Sequence, residues 1–285
     1  MSRSSFAPVT RTVLVTGCSS GIGLATAEVL RARGWRVFPT ARRLDDLEML
    51  RESGFQPVKL DIADPASVAE AVDDVLTLCE GGLGAVVNNA GVAQFGAIED
   101  LTREAISRQF EVNTFGPLDL TNRLVPHFRK QGGGRIVNVS SVYGRVTAPM
   151  VGCYCASKYA MEALSDAWRM ELKAEGIAVS LIEPGPILSK FRTKSADHSV
   201  TGLDMRAGRF GNRYSRRMEK AKAPQAKTFF TKPPEAVAAK IAHALESRHP
   251  HTRYCVTVPA YLGAFLRRFA SDGLMDRLLA NSARA

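Results

Sequence analysis

The chain has 285 residues, 45% hydrophobic and 23% charged, so it carries enough apolar material for one large core and is not a disordered or fibrous sequence. Its 38 Lys and Arg against 28 Asp and Glu leave a formal net charge of +10, but no nucleic-acid module accompanies that charge, and the excess in 190–232 and at Arg267 and Arg268 reads as solvated basic surface. Five cysteines without C-x-x-C spacing argue against a disulfide framework or zinc site, so no metal and a reducing, cytoplasmic location are expected, and no run of about 18 apolar residues suggests a membrane span.

Residues 12–16 (TVLVT) read as a buried strand, followed by a Gly/Ser turn and a helix over 22–33 closed by Gly34. A strand at 36–40, a helix at 44–53, a strand at 57–60 and a helix at 66–79 come after it, the last opened by Asp64 and Pro65. Residues 85–88 form a fourth strand. A long helical region over 103–130 is interrupted at Gly116 and Pro117 and ended by three glycines, 132–134. A strand at 135–140, a helix at 152–175 and a strand at 177–183 come next. Residues 189–232 are basic, Gly- and Ser-rich and without steady periodicity, which suggests a lid or binding loop. A helix at 233–247, a strand at 253–258 and an apolar helical tail over 261–279 complete the chain. The alternation predicts an α/β protein with a doubly wound, mostly parallel seven-stranded sheet, one domain over 1–285, with 259–285 as a C-terminal tail.

Gly17, Ser19, Ser20, Gly21, Ile22 and Gly23 lie between the first strand and the first helix. Glycines let the backbone approach a pyrophosphate, and the helix start offers unpaired N–H groups to an anion. The spacing T-G-x-x-x-G-[IL]-G resembles that of the short-chain dehydrogenase/reductase family. Asn88-Asn89-Ala90-Gly91, Asn113, Ser141, Tyr154-x-x-x-Lys158 and Pro184-Gly185-Pro186-Ile187-Leu188-Ser189 resemble further motifs of that family, in order. The resemblance implies a Rossmann fold and an oxidoreductase using a nicotinamide dinucleotide, in the branch acting on steroids, retinoids and lipid-like aldehydes. It also implies cofactor contacts at Asn89, Ala90, Gly91, Pro184, Gly185, Ile187 and Ser189, and a homodimer or homotetramer.

Hydride transfer to a carbonyl builds negative charge on oxygen, which calls for a proton donor and hydrogen-bond support. A free tyrosine titrates at about 10 and needs a nearby cation to act near neutral pH. Tyr154 and Lys158 are one helical turn apart, and Ser141 closes the neighbouring strand. Taken alone, such a Tyr–Lys pair is common on helix surfaces. By the resemblance, Tyr154 is the acid/base, Lys158 also holds the nicotinamide ribose, and Asn113 supports a water that relays protons to Lys158. The family's acidic position after the second strand looks occupied by Ala41, with Arg42 next, which favours NADP(H) over NAD(H). The alternative is that Arg42 and Arg43 open a solvated helix.

Asp61 occupies a position that the family uses near the adenine, or serves only the turn; Ser189 contacts the carboxamide, or caps the next segment. Val142, Tyr143, Val146, Met150 and Val151 are candidate walls for an apolar substrate, or core. The tail is expected to pack on its own domain before covering the pocket or touching a membrane surface. The leading expectation is an NADP(H)-dependent reductase of an apolar carbonyl. A 3-oxoacyl thioester reductase and a non-catalytic NADP(H)-binding sensor or scaffold are the alternatives.

Overall fold

The computed structural model describes residues 6, 10–80, 82–200, 210–223 and 228–280. Seven strands form one sheet: β1 (Thr12–Val15), β2 (Arg36–Ala41), β3 (Val58–Lys59), β4 (Ala85–Asn88), β5 (Gly134–Val139), β6 (Ile177–Glu183) and β7 (Arg253–Cys255). Their order is β3-β2-β1-β4-β5-β6-β7, and every pair is parallel, with Val13 opposite both Val37 and Ala85. A parallel strand covered on both faces reads as a continuous apolar run, and β4, β5 and β6 are buried along their whole length.

On one face, α1 (Gly21–Ala32) and α9 (Glu235–Glu246) bury Ala27, Leu30, Val237, Ile241 and Leu245 against Val13, Val37 and Val137. On the other lie α3 (Pro65–Leu78), α5 (Gly116–Lys130) and α6 (Gly152–Glu171), which cover Leu14, Val86 and Ile136 with Val72, Leu124, Phe128 and Met161. Each fully buried side chain of this size contributes about 1.5–3 kcal/mol of transfer free energy. The second face also holds a polar seam: Asn88 Nδ2 donates to Thr121 Oγ1 and Asn138 Oδ1, and Asn138 Nδ2 donates to Ser165 Oγ, all at 2.8–2.9 Å. Burial makes such amides costly unless paired, so the seam fixes α5 and α6 against β4 and β5.

Strand and helix boundaries fall within a few residues of the expected ones, with α2 at Leu44–Glu52 and α4 at Arg103–Phe110. Asp64 caps α3 by accepting from the Ala66 N–H at 3.0 Å, with Pro65 at its first position.

Three expectations are corrected. The helical region does not break at Gly116 and Pro117. It runs on from α4 through a π turn, Glu111–Phe115, into α5. Pro117 has no N–H for the Asn113 carbonyl, and a wider turn absorbs that loss. Gly116 is required by packing, since a Cβ there would fall 1.9 Å from the Ile62 carbonyl oxygen.

Second, residues 189–232 contain two helices, α7 (Phe191–Val200) and α8 (Gly211–Lys222). They pack on each other through Ala196, Met218 and Ala221, with Tyr214 also buried. Tyr214, Met218 and Ala221 are one face of a single short helix, too brief a pattern to stand out among its charged neighbours.

Third, the tail is two helices, α10 (Val258–Phe269) and α11 (Asp272–Ala280). Of α10, Ala260 is buried, and Gly263 packs beside Val142 and Val146; Leu262, Phe265 and Phe269 remain exposed. The small-residue face, not the large apolar stripe, meets the domain.

Candidate active site

Because all seven strands are parallel, their carboxyl ends share one edge of the sheet, and the order reverses between β1 and β4. Ligands of open α/β sheets bind at such a reversal. After β1 the chain turns at Gly17, whose φ is +75°. A Cβ on Gly17 would lie 2.8 Å from Ala90 Cα, and one on Gly23 would lie 2.2 Å from the Gly17 carbonyl oxygen. These glycines pack the loop against the segment after β4. Thr16 Oγ1 accepts from the Asn89 and Ala90 N–H groups, both at 2.9 Å. Asn89 Nδ2 donates back to the Thr16 and Gly17 carbonyls at 2.8 and 3.2 Å. Helix α1 then begins with no side-chain cap and no acidic residue in its first turn. An uncapped helix start beside a glycine turn suits a phosphate.

Ser141, Tyr154 and Lys158 come together at the end of β5. The Ser141 hydroxyl lies near enough to the Tyr154 hydroxyl to favour its ionised form, and Ser141 Oγ accepts from the Tyr143 N–H at 3.1 Å. Burial pushes the Tyr154 phenol above its usual range, and the Ser141 hydroxyl opposes this. Lys158 Nζ lies 5.9 Å from the Tyr154 ring centroid and donates to the Val139 carbonyl at 2.9 Å. Burial pulls Lys158 down to about 8, while the negative charge of Glu162, one turn further along α6, favours its ammonium form.

Asn113 lies in the π turn rather than in α4. Its side chain accepts from the Val92 N–H, and donates to the Val92 carbonyl and to Ser157 Oγ. A Cβ on Gly91 would fall 3.3 Å from Asn113 Oδ1 and 3.7 Å from Lys158 Nζ, so the chain after β4 lies against both side chains.

Arg42 follows β2 with its side chain 70% exposed, 3.8 Å from Asp61. Asp61 also serves its turn, accepting from the Ala63 N–H at 3.1 Å. After β6, Pro184 accepts from the Val142 N–H. Gly185 sits where a Cβ would strike Thr257 Oγ1 at 2.1 Å, and Ile187 is buried and bridged to Lys232. Ser189 does cap the next segment, accepting from the Phe191 N–H at 3.3 Å, and it also lies against Gly21 of the phosphate loop.

Of the expected wall residues, Val146, Met150 and Val151 are buried. Phe95, Tyr143, Ala148, Val151 and Cys155 form a separate apolar cluster, and Tyr143 and Phe191 both set their rings about Tyr154, at 6.2 and 6.1 Å.

The family model described as short chain dehydrogenase matches residues 11–199. The chain belongs to the short-chain dehydrogenase family. It is 40% identical over 269 residues to the uncharacterized oxidoreductase YbbO of Escherichia coli, covering 94% of each chain. It is 33% identical over 278 residues to an NADPH-dependent 3-dehydrocapnine reductase of Ornithobacterium rhinotracheale, covering 94% of this chain and 95% of that one. Human retinol dehydrogenase 5 is 36% identical over 287 residues, with 94% and 87% covered. The crystal structure of a short-chain dehydrogenase from Streptomyces avermitilis superposes with a TM-score of 0.75 at 29% identity, covering 94% of each chain.

Within this short-chain dehydrogenase, sequence reasoning passed over several residues that shape the site. Thr16 was visible as part of the glycine motif, but not as the acceptor that ties two loops. Glu162, four residues beyond Lys158, carried the same helical-spacing signal as Tyr154 and Lys158. Lys194, whose Nζ lies within 3.0 Å of both Ser19 Oγ and Ser20 Oγ, had no signal beyond a basic segment.

Proposed function

We propose that this oxidoreductase transfers a hydride between NADP(H) and the carbonyl or hydroxyl of an apolar substrate, with Tyr154 as general acid/base. The observation carrying the reading is the buried Tyr154, with Ser141 near its hydroxyl and Lys158 Nζ 5.9 Å from its ring, at the sheet edge where the phosphate loop opens. Gly17, Ser19, Ser20, Gly21, Ile22 and Gly23 would hold the pyrophosphate, with Arg42 and Asp61 at the adenosine end. Asn89, Ala90, Gly91, Pro184, Gly185, Ile187 and Ser189 would border the rest of the dinucleotide, and Lys158 its nicotinamide ribose.

The bound nicotinamide supplies the hydride in the reductive direction. Ser141 and Tyr154 orient the carbonyl oxygen, and Tyr154 gives up its proton as charge builds there. The Lys158 ammonium stabilises the resulting phenolate, and the Val139 carbonyl holds that ammonium in place. By the family resemblance, Asn113 would support a water supplying protons towards Lys158. The aromatic and aliphatic surroundings of Tyr154 favour a lipid-like or retinoid carbonyl over a charged one. The NADPH-dependent reductase and the retinol dehydrogenase among its relatives point the same way. Five free cysteines support a reducing compartment. A homodimer or homotetramer is what the family resemblance implies for this chain.

The test follows NADPH and NADH consumption against medium-chain aldehydes, retinal, keto-steroids and a 3-oxoacyl thioester. Turnover with NADPH that falls about 10²–10⁴-fold in Tyr154→Phe, with cofactor affinity kept, is the expected outcome. Tight NADPH binding with no turnover on any carbonyl would refute it.

A further inference from the structure

One cation of the lid segment reaches the phosphate loop. Lys194, one turn into α7, donates to Ser19 Oγ at 2.9 Å and to Ser20 Oγ at 3.0 Å. An ammonium has three N–H donors, and this contact uses two. Each serine oxygen accepts from Lys194, so each hydroxyl hydrogen points away from it and is left to donate to something else. The uncapped start of α1 adds backbone N–H groups to the same corner.

The charges nearby are mostly of one sign. Arg42, Arg43 and Lys190 repel the Lys194 ammonium, and Asp46 opposes them. Arg43 is engaged with Asp45 at 3.0 Å. Arg42 meets Asp61 only at 3.8 Å, beyond hydrogen-bond length, with most of its guanidinium in solvent. Two cations and two hydroxyls therefore converge where the end of β2 meets the phosphate loop. Cations brought together against repulsion fit a multiply charged anion. A guanidinium takes a phosphate bidentately, while a lysine adds a point charge from another side.

We propose that Lys194 is a specificity-determining residue of this enzyme, holding the 2′-phosphate of NADP(H) together with Ser19, Ser20 and Arg42. The assignment rests on the NADP(H) reading above. It makes α7 a clasp: the 2′-phosphate joins the contact that already ties this helix to the phosphate loop, and NAD(H), which lacks that group, adds nothing to it. The cofactor's pyrophosphate is the other source of phosphate chemistry at this corner, and the experiment separates the two.

Wild type, Lys194→Met, Lys194→Arg and Arg42→Ala are titrated with NADPH and NADH by nicotinamide fluorescence, and with adenosine 2′,5′-bisphosphate and ADP by calorimetry. Lys194→Met is expected to weaken NADPH and adenosine 2′,5′-bisphosphate by about 10–100-fold, the worth of one charge-assisted hydrogen bond. NADH and ADP should change less than about twofold, and Lys194→Arg should keep the preference. Equal losses for NADPH and NADH would place Lys194 on the pyrophosphate and overturn the 2′-phosphate assignment. Unchanged NADPH affinity, with a normal thermal transition, would remove Lys194 from the site altogether. If the wild type itself prefers NADH, the cofactor reading fails on the unsubstituted protein. If NADPH preference is lost in Arg42→Ala but kept in Lys194→Met, only this inference fails.

Discussion

Thr16→Val isolates a single oxygen atom whose work can be counted. Thr16 Oγ1 accepts from the Asn89 and Ala90 N–H groups at 2.9 Å and donates to the Val87 carbonyl at 3.3 Å. Valine keeps the β-branched shape, so no cavity opens and strand preference is unchanged. The Val87 carbonyl keeps the Thr16 backbone N–H at 3.0 Å and is not orphaned. The valine removes the shared acceptor of two N–H groups. At about 0.5–1.5 kcal/mol net for each, the loss comes to about 1–3 kcal/mol. A chain of this size loses about 2–4 °C of Tm per kcal/mol, so a fall of several degrees is expected. Since those N–H groups fix the segment facing Lys158, NADPH affinity should fall with stability. Thr16→Ser keeps the oxygen and should lose about 1 kcal/mol or less, the worth of one methyl. Urea denaturation and nicotinamide fluorescence measure both quantities. A valine variant matching wild type in both would refute the assignment of this oxygen as the tie between the loops.

Lys158, held down at about 8, gives a pH dependence: in the free enzyme, kcat/KM for carbonyl reduction should decline above about pH 8, as the ammonium beside Tyr154 is lost. Its folded value lies below the ordinary lysine value, so its burial penalty is full below pH 8 and is relieved as pH rises towards about 10.4. Glu162→Gln should move the kinetic break to lower pH, because the charge that favours the ammonium is gone; an unmoved break would exclude Glu162 from that role. Gly185→Ala should cost about 1–3 kcal/mol, since its Cβ meets Thr257 Oγ1 at 2.1 Å, and adding Thr257→Ala should restore much of that loss in thermal unfolding. Arg253→Met should cost about 1.5–3 kcal/mol, because Glu162 loses its hydrogen-bonded cation while Arg145 still holds Glu183 at 3.0 Å. Burial and the neighbouring Glu183 already raise Glu162 to about 7, above its unfolded value, so acidification from pH 8 towards 5 should return part of the lost stability; a deficit independent of pH would argue against the electrostatic cause.

The parallel core was legible because strands buried on both faces leave unbroken β-branched runs, as in 12–16 and 177–183. The phosphate loop and the Tyr154–Lys158 pair were legible because each ties a residue type to a local backbone feature: a glycine turn before a helix, and a one-turn spacing along one. Interactions between distant parts of the chain were not. Arg253 Nε donates to Glu162 across 91 positions, and Lys194 reaches Ser19 across 175. In the sequence, each of these cations looks like any other in a basic protein. Pro117 read as a break because its missing N–H was counted, while the π turn that accommodates it gives no residue pattern of its own.

The ion cluster at β7 bears on the order in which the protein is made. Glu162 on α6 and Glu183 on β6 are both buried and both meet Arg145, and Arg253, which also meets both, arrives on the last strand. Synthesis at about 5–20 residues per second puts about 4–14 s between Glu183 and Arg253. Throughout that interval the nascent chain already contains every motif residue up to Glu183, yet Glu162 and Glu183 have Arg145 alone to share between them. A growing polypeptide therefore holds the vocabulary of the active site before the last strand brings α6 its second cation, Arg253.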